Sequence, residues 1–356
     1  MFKAAFYASV ALLVFCAPAV AGPLGRVEAV EKFLGIGMSD GARAGSVASD
    51  GADVVVRDLT LPLGVTQREG APVVSSSVRV KELRFVDVAV AEATARFAGV
   101  TALEVVVTGA EGVAVRSMAL GPVKAVLIGS APLSVEGDYS ATLLGVVSSS
   151  AAGAIRADMY AVSYRSEGGG RFSQKLKVSG LQLRDSGRSE YRVAGEISIA
   201  GDRAARTVEA EMRLVEHQLG EIIGQVSMSN VEMAERKMSL IVGDDLADGN
   251  ADIRSGSVEI IPSEAIRMVV RFLPSDKRDE LIGAIEPILT KNVPQGSAIA
   301  GQAMRAVAAF LAKPGAVRLS MAPKAPVPVQ DFVSGKGFAA GTDWADRWGV
   351  SISVSD

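Results

Sequence analysis

Apolar residues in the octet Val78-Arg79-Val80-Lys81-Glu82-Leu83-Arg84-Phe85 occupy its first, third, sixth and eighth positions. The same spacing recurs at Val54, Val56, Leu59 and Leu61, at Val113, Val115, Met118 and Leu120, and at Leu176, Val178, Leu181 and Leu183. It returns at Val226, Met228, Val231 and Met233. Steps of two keep side chains on one face of a strand. The central step of three breaks that phase. Either one extra residue bulges out and bends the strand, or the strand turns its other face inward. Repetition of the device predicts long, bent, twisted sheet with one apolar face.

From Gly51 to about Asp244 the pattern reads as strand after strand, clearest at 101–108, 134–144, 160–165, 175–183 and 190–200. Between Thr207 and Leu214 the alternation is complete: Val208, Ala210, Met212 and Leu214 against Glu209, Glu211 and Arg213. One buried and one wet face is the signature of antiparallel sheet. Gly137-Asp138, Gly168-Gly169-Gly170, Asp185-Ser186-Gly187 and Gly201-Asp202 are turn signals between the runs. Ahead of them, Leu24 to Leu34 reads as a short amphipathic helix ended by Gly35 and Gly37, capping an open end of the sheet.

After Asp252 the character changes. Ser257 to Ile261 predicts a strand, and Pro262-Ser263 starts a helix running to about Leu273. Further helices are expected after Pro274 and from Ser297 to Ala312, then strands at Ala316 to Met321 and Val350 to Val354. Pro323, Pro326 and Pro328 suit a sheet edge, because proline donates no ladder bond. The expected fold is α+β: mostly antiparallel, trough-like sheet with a C-terminal helical cap. It forms a single elongated domain over 22–356, strand-rich at 22–252, with the cap and closing strands at 253–356.

Residues 1–21 stand apart. Lys3 precedes an apolar run from Ala4 to Cys16, and Ala19-Val20-Ala21 matches a small-x-small cleavage site before Gly22. A secretory signal peptide cleaved after Ala21 is expected, and hence a periplasmic protein; an uncleaved inner-membrane anchor is the alternative. The only cysteine, Cys16, leaves with the signal, so stability must come from burial without disulfides. Apolar residues are 49% of the chain and aromatics only 5%, so that core is aliphatic. A net charge of −3 argues against a general nucleic-acid or anionic-membrane binder.

Candidate chemistry is sparse. The single histidine, His217, sits in Val215-Glu216-His217-Gln218-Leu219-Gly220, the expected turn of a hairpin. Without a partner cysteine or second histidine, a nitrogen- and sulfur-rich metal site is not assembled. No nucleophile elbow, phosphate loop or dinucleotide fingerprint occurs. Asp244, Asp245, Asp248, Asn250 and Asp252 around Gly249 resemble a calcium loop. Leu246 and Ser255 stand where oxygen ligands are required, so the stretch reads as a solvated acidic turn. No enzyme activity, cofactor or metal is expected.

The repeated V-x-V-x-x-L-x-L segments, the exported N-terminus and the low-aromatic strands resemble the AsmA-like proteins of bacterial envelopes, over roughly Val54 to Met233. That resemblance implies a curved sheet whose apolar concave face holds acyl chains, in lipid handling or envelope upkeep. Candidate lining residues are Val78, Val80, Val113, Val115, Leu176, Val178, Val226 and Met228. The expected function is lipid binding or transfer, with lipid acyl chains or envelope proteins as partners and peripheral membrane contact. The alternative is a non-enzymatic structural or assembly factor of the envelope.

Overall fold

A computed structural model of the chain describes residues 25–37, 41–66, 74–91, 94–108, 112–121, 123–126, 138–150, 153–184, 190–231, 251–292, 298–333 and 344–355. The expected signal segment and Asp244, Asp245, Asp248 and Asn250 of the acidic turn lie outside them. The fold is α+β, an open, mostly antiparallel sheet with helices concentrated after Pro262. The chain divides into two compact units, residues 1–165 with 176–192 and residues 166–175 with 193–356.

In the first unit, helix α1 (Arg26–Leu34) ends at Gly35, whose φ of 66° gives the left-handed cap that glycine supplies without strain. Strands β1 (Ser46–Asp50), β2 (Asp53–Thr66) and β3 (Val74–Val86) follow, then β4 (Ala89–Ala91), β5 (Thr94–Phe97), β6 (Gly99–Thr108) and β7 (Gly112–Gly121). Next come β8 (Val123–Val126), β9 (Tyr139–Ser150), β10 (Gly153–Gly168) and β11 (Arg171–Arg184), the last two running into the second unit. The hydrogen-bonded order is β1-β2-β3-β6-β7-β9-β10-β11, and β4-β5-β8 form a separate small sheet.

The step of three has one structural cause throughout this unit. Leu59 pairs with Val80 and Arg57 with Glu82, while Asp58 and Lys81 between them drop out of the ladder. The same gap, with no change of register, falls at Lys81 and Glu104, then Glu104 and Arg116, Arg116 and Gly145, and Gly145 and Asp158. Strands β2, β3, β6, β7, β9 and β10 therefore each carry one extra residue at the same level. Val54, Val56, Leu59 and Leu61 consequently stay on one buried face across the break. Alternate strands resolve the extra residue in the left-handed region, at Asp58 (φ 52°), Glu104 (φ 50°), Gly145 (φ 62°) and Gly180 (φ 59°). The result is a continuous interruption line across the sheet.

Apolar rows flank that line. Leu59, Val80, Val105, Val115 and Val146 lie opposite one another on neighbouring strands, as do Val54, Phe85, Val100, Leu120, Ala141 and Val162. Over the second row's start, Phe33 of α1 meets Phe85 and Phe97 with ring centroids 5.9 and 5.8 Å away, edge to face. Arg84 ties β3 to the β1–β2 turn through Asp50 and Asp53, both at 2.9 Å. Asp53 also accepts the Asp87 main-chain N–H, and that bond together with Arg84 holds its carboxyl below the usual carboxylate range.

The second unit carries β12 (Glu190–Asp202), β13 (Thr207–Glu216), β14 (Gly220–Ser229) and β15 (Asp252–Pro262). Helices α2 (Glu264–Arg271), α3 (Ser275–Asn292) and α4 (Ala298–Ala312) follow. Strands β16 (Ala316–Met321) and β17 (Val327–Pro328), short helices α5 (Val329–Val333) and α6 (Trp344–Arg347), and β18 (Val350–Ser355) close the chain. The order is β12-β13-β14-β15-β16-β18, with β17 beside β15. The strand expected to end at Gly201-Asp202 continues through both. Its turn is made by Arg203 to Arg206, where the Asp202 carboxylate accepts the N–H groups of Ala204 and Ala205. Ser263 caps α2 by accepting from Ile266 N–H. Gln302 of α4 accepts the Ile352 N–H at 3.0 Å, using a helix side chain to satisfy an edge strand.

Candidate functional site

The two faces of β12 to β18 differ sharply in chemistry. On one face, Gly195, Leu214, Ile222, Ile260, Val317 and Val354 form a cross-strand row. Two residues along, Ile197, Met212, Gly224, Val258, Leu319 and Ile352 form a second. Neither row contains a polar side chain. None of their ten non-glycine side chains is buried, and Ile222 (37%), Val258 (39%), Leu319 (43%) and Ile260 (49%) are well exposed. At roughly 4.8 Å per strand spacing the rows are about 24 Å long, and two residues of strand set them about 7 Å apart.

One end of this face is closed. Ile199, Val226 and Met321 pack against a buried cluster of Val208, Met228, Val231, Ala251, Ile253 and Val329. A register shift lets Ile253 join it: Met228 pairs with Ile253 and Ser227 with Ser255, leaving Arg254 as the extra residue. At the other end β15 runs through Ile260 and Pro262 into α2.

The opposite face is polar. Ser198, Glu211, Gln225, Ser257, Ser320 and Ser351 make one row there, and Glu196, Arg213, Ile223, Glu259, Arg318 and Ser353 another. Ser198, Ser227, Ser255, Ser257 and Ser320 help to line a shallow depression of about 650 Å³. Glu221 binds Arg213 through both carboxylate oxygens and raises the guanidinium pKa above its ordinary value. Hydroxyls, paired charges and open solvent make this a hydrated surface.

The residues expected to line a lipid-accessible face are distributed between the units. Val78, Val80 and Val115 lie together in the first unit and are fully buried. Val113 pairs through its backbone with Val107 and Ser148, and its side chain lies outside the described set. Val178 is buried on β11, and Leu176 half-buried. Val226 and Met228 belong to the closed end of the second unit's apolar face, Met228 within its buried cluster. The exposed stretch, at Ile222, Val258, Ile260 and Leu319, was missed. Its only trace in the sequence is plain alternation in β14, β15 and β16, and alternation is identical whether a face is covered or open.

His217 is exposed in the β13–β14 turn, where Glu216 accepts the N–H groups of Gln218 and Leu219. Asp252 of the acidic turn accepts from the Asn230 side chain at 2.6 Å. Among the described residues, no helix is long and apolar enough to cross a membrane. A family model described only as an uncharacterized protein matches residues 274–355, the stretch from the start of α3 through β18. No curated protein and no solved structure matches the chain.

Proposed function

We propose that the chain binds lipid acyl chains on the apolar face of β12 to β18, as an exported, non-enzymatic carrier in the upkeep of a bacterial envelope. The observation that carries this reading is the pair of six-residue apolar rows with no buried side chain outside glycine. A face of that kind leaves apolar area in water unless something apolar covers it. Its length of about 24 Å exceeds half the ~30 Å hydrocarbon core of a bilayer, so an acyl chain fits along it. Each methylene covered contributes about 0.8 kcal/mol, enough over a long chain to offset the ordering cost.

The test is extraction and mass spectrometry of the purified protein, with Val258→Asp as the paired variant. The wild type should carry lipid; the variant should fold and lose it, because the carboxylate reaches water at this exposed position. Wild type free of lipid would favour the assembly-factor reading instead.

A further inference from the structure

Most of the apolar face is built from branched side chains, but its middle is not. Gly224 of β14 lies in one of the open rows, between Met212 and Val258. Gly256 of β15 lies two residues from Val258 on the same face, opposite Val226 and Met321. The two glycines are diagonal neighbours on adjacent strands, about 7–8 Å apart. Their strands are the third and fourth of the six that carry the rows, so they sit at the midpoint of the face.

Neither glycine is demanded by its backbone or by packing. Neither has φ in the left-handed region. A Cβ on Gly224 would first meet the Met212 methyl, Cε, at 3.3 Å, and one on Gly256 would meet the Met321 Cε and the Gln225 carbonyl oxygen at 3.4 Å. Gly195 in the neighbouring row differs: a Cβ there would run into the Leu214 side chain and lie 3.1 Å from the Arg213 carbonyl oxygen. A mid-strand glycine without such a demand weakens the strand and marks a place where another group approaches closely.

The two methionine methyls reach over this glycine floor from opposite sides, Met212 from β13 and Met321 from β16. Gly224 under the Met212 tip is buried, whereas Ile222 and Val258 beside it are 37% and 39% exposed. Methionine is unbranched, with three rotatable side-chain bonds, so these tips swing aside more readily than the valines and isoleucines around them. Their withdrawal opens a recess one Cβ layer deeper than the rest of the face. A straight acyl chain lies along the rows without entering it. A chain bent at its middle by a cis double bond brings that bend to the recess while its two halves follow the rows.

We infer that the face selects cis-unsaturated acyl chains, seating the bend on Gly224 and Gly256 between Met212 and Met321. This rests on the lipid-binding reading above and names the substrate class of that same site.

The test sets oleate against elaidate, its trans isomer, as competitors for a fluorescent fatty acid on the delipidated full chain. The two isomers contain the same atoms, so the bend alone separates them. Oleate should compete about tenfold better with wild type, the discrimination that roughly one well-fitted methylene gives. Gly224→Ala with Gly256→Ala should remove that preference without lowering the melting temperature, because alanine adopts this strand backbone without strain. Equal competition by the isomers in wild type, or a preference kept in the double variant, overturns the inference and leaves the carrier reading standing. A lowered melting temperature in each single variant also overturns it, since the glycines would then serve the packing of the methionines. A wild type that binds neither the fluorescent fatty acid nor either isomer overturns this inference and the carrier reading together.

Discussion

Four residues in the left-handed region, Asp58, Glu104, Gly145 and Gly180, lie on one line across the first unit, on strands that run in the same direction. Two are glycines. A Cβ at Gly145 would stand 3.1 Å from the Arg116 Cβ, and one at Gly180 would overlap the Asp158 carboxylate. Gly180→Ala should therefore destabilise the protein by about 2 kcal/mol or more, combining backbone strain with a clash, as read by denaturant unfolding. Glu104→Gly loses the 2.6 Å contact with Lys81 but relieves the backbone, so its unfolding midpoint should stay near wild type. Burial of Tyr160 pushes its phenol up to about 12 from an ordinary value of 10. Between those pH values the unfolded chain releases this proton and the folded one keeps it, so stability should fall as pH rises through the window. Absorbance titration at high pH reads both events.

Helix α1 shows how much one element contributes. Ala29, Val30, Phe33 and Leu34 are all buried, and Phe33 links Phe85 of the main sheet to Phe97 of the small one. Phe33→Ala should cost about 3–5 kcal/mol in denaturant unfolding, the usual range for an emptied aromatic site. This helix was legible because its apolar spacing and its terminal glycine agree. The interruption line was half legible. Val56 followed by Leu59 shows that the phase breaks, but only strand pairing reveals that Asp58, Lys81, Glu104 and Arg116 break it at one level. The end of β12 was misplaced because Gly201-Asp202 resembles a turn. Gly201 instead makes room for the Phe172 ring, and Asp202 organises the turn that follows.

At the scale of the whole molecule, equivalent apolar rows meet opposite fates. Val80 and its neighbours in the first unit are buried, whereas Val258 and Ile260 in the second face solvent. Sequence alternation fixes which residues share a face, but not what lies over it, and the eight candidate residues were chosen on alternation alone. An aspartate therefore separates the two cases. Val80→Asp should unfold the protein, because a buried charge costs several kcal/mol. Val258→Asp should leave unfolding cooperative and the midpoint near wild type. The most direct measurement is the lipid content of wild type, Val258→Asp and Ile260→Asp proteins purified in parallel and extracted for mass spectrometry. The account predicts stoichiometric acyl lipid in wild type and its loss from both folded variants. Lipid-free wild type, or lipid retained in both variants, would contradict it.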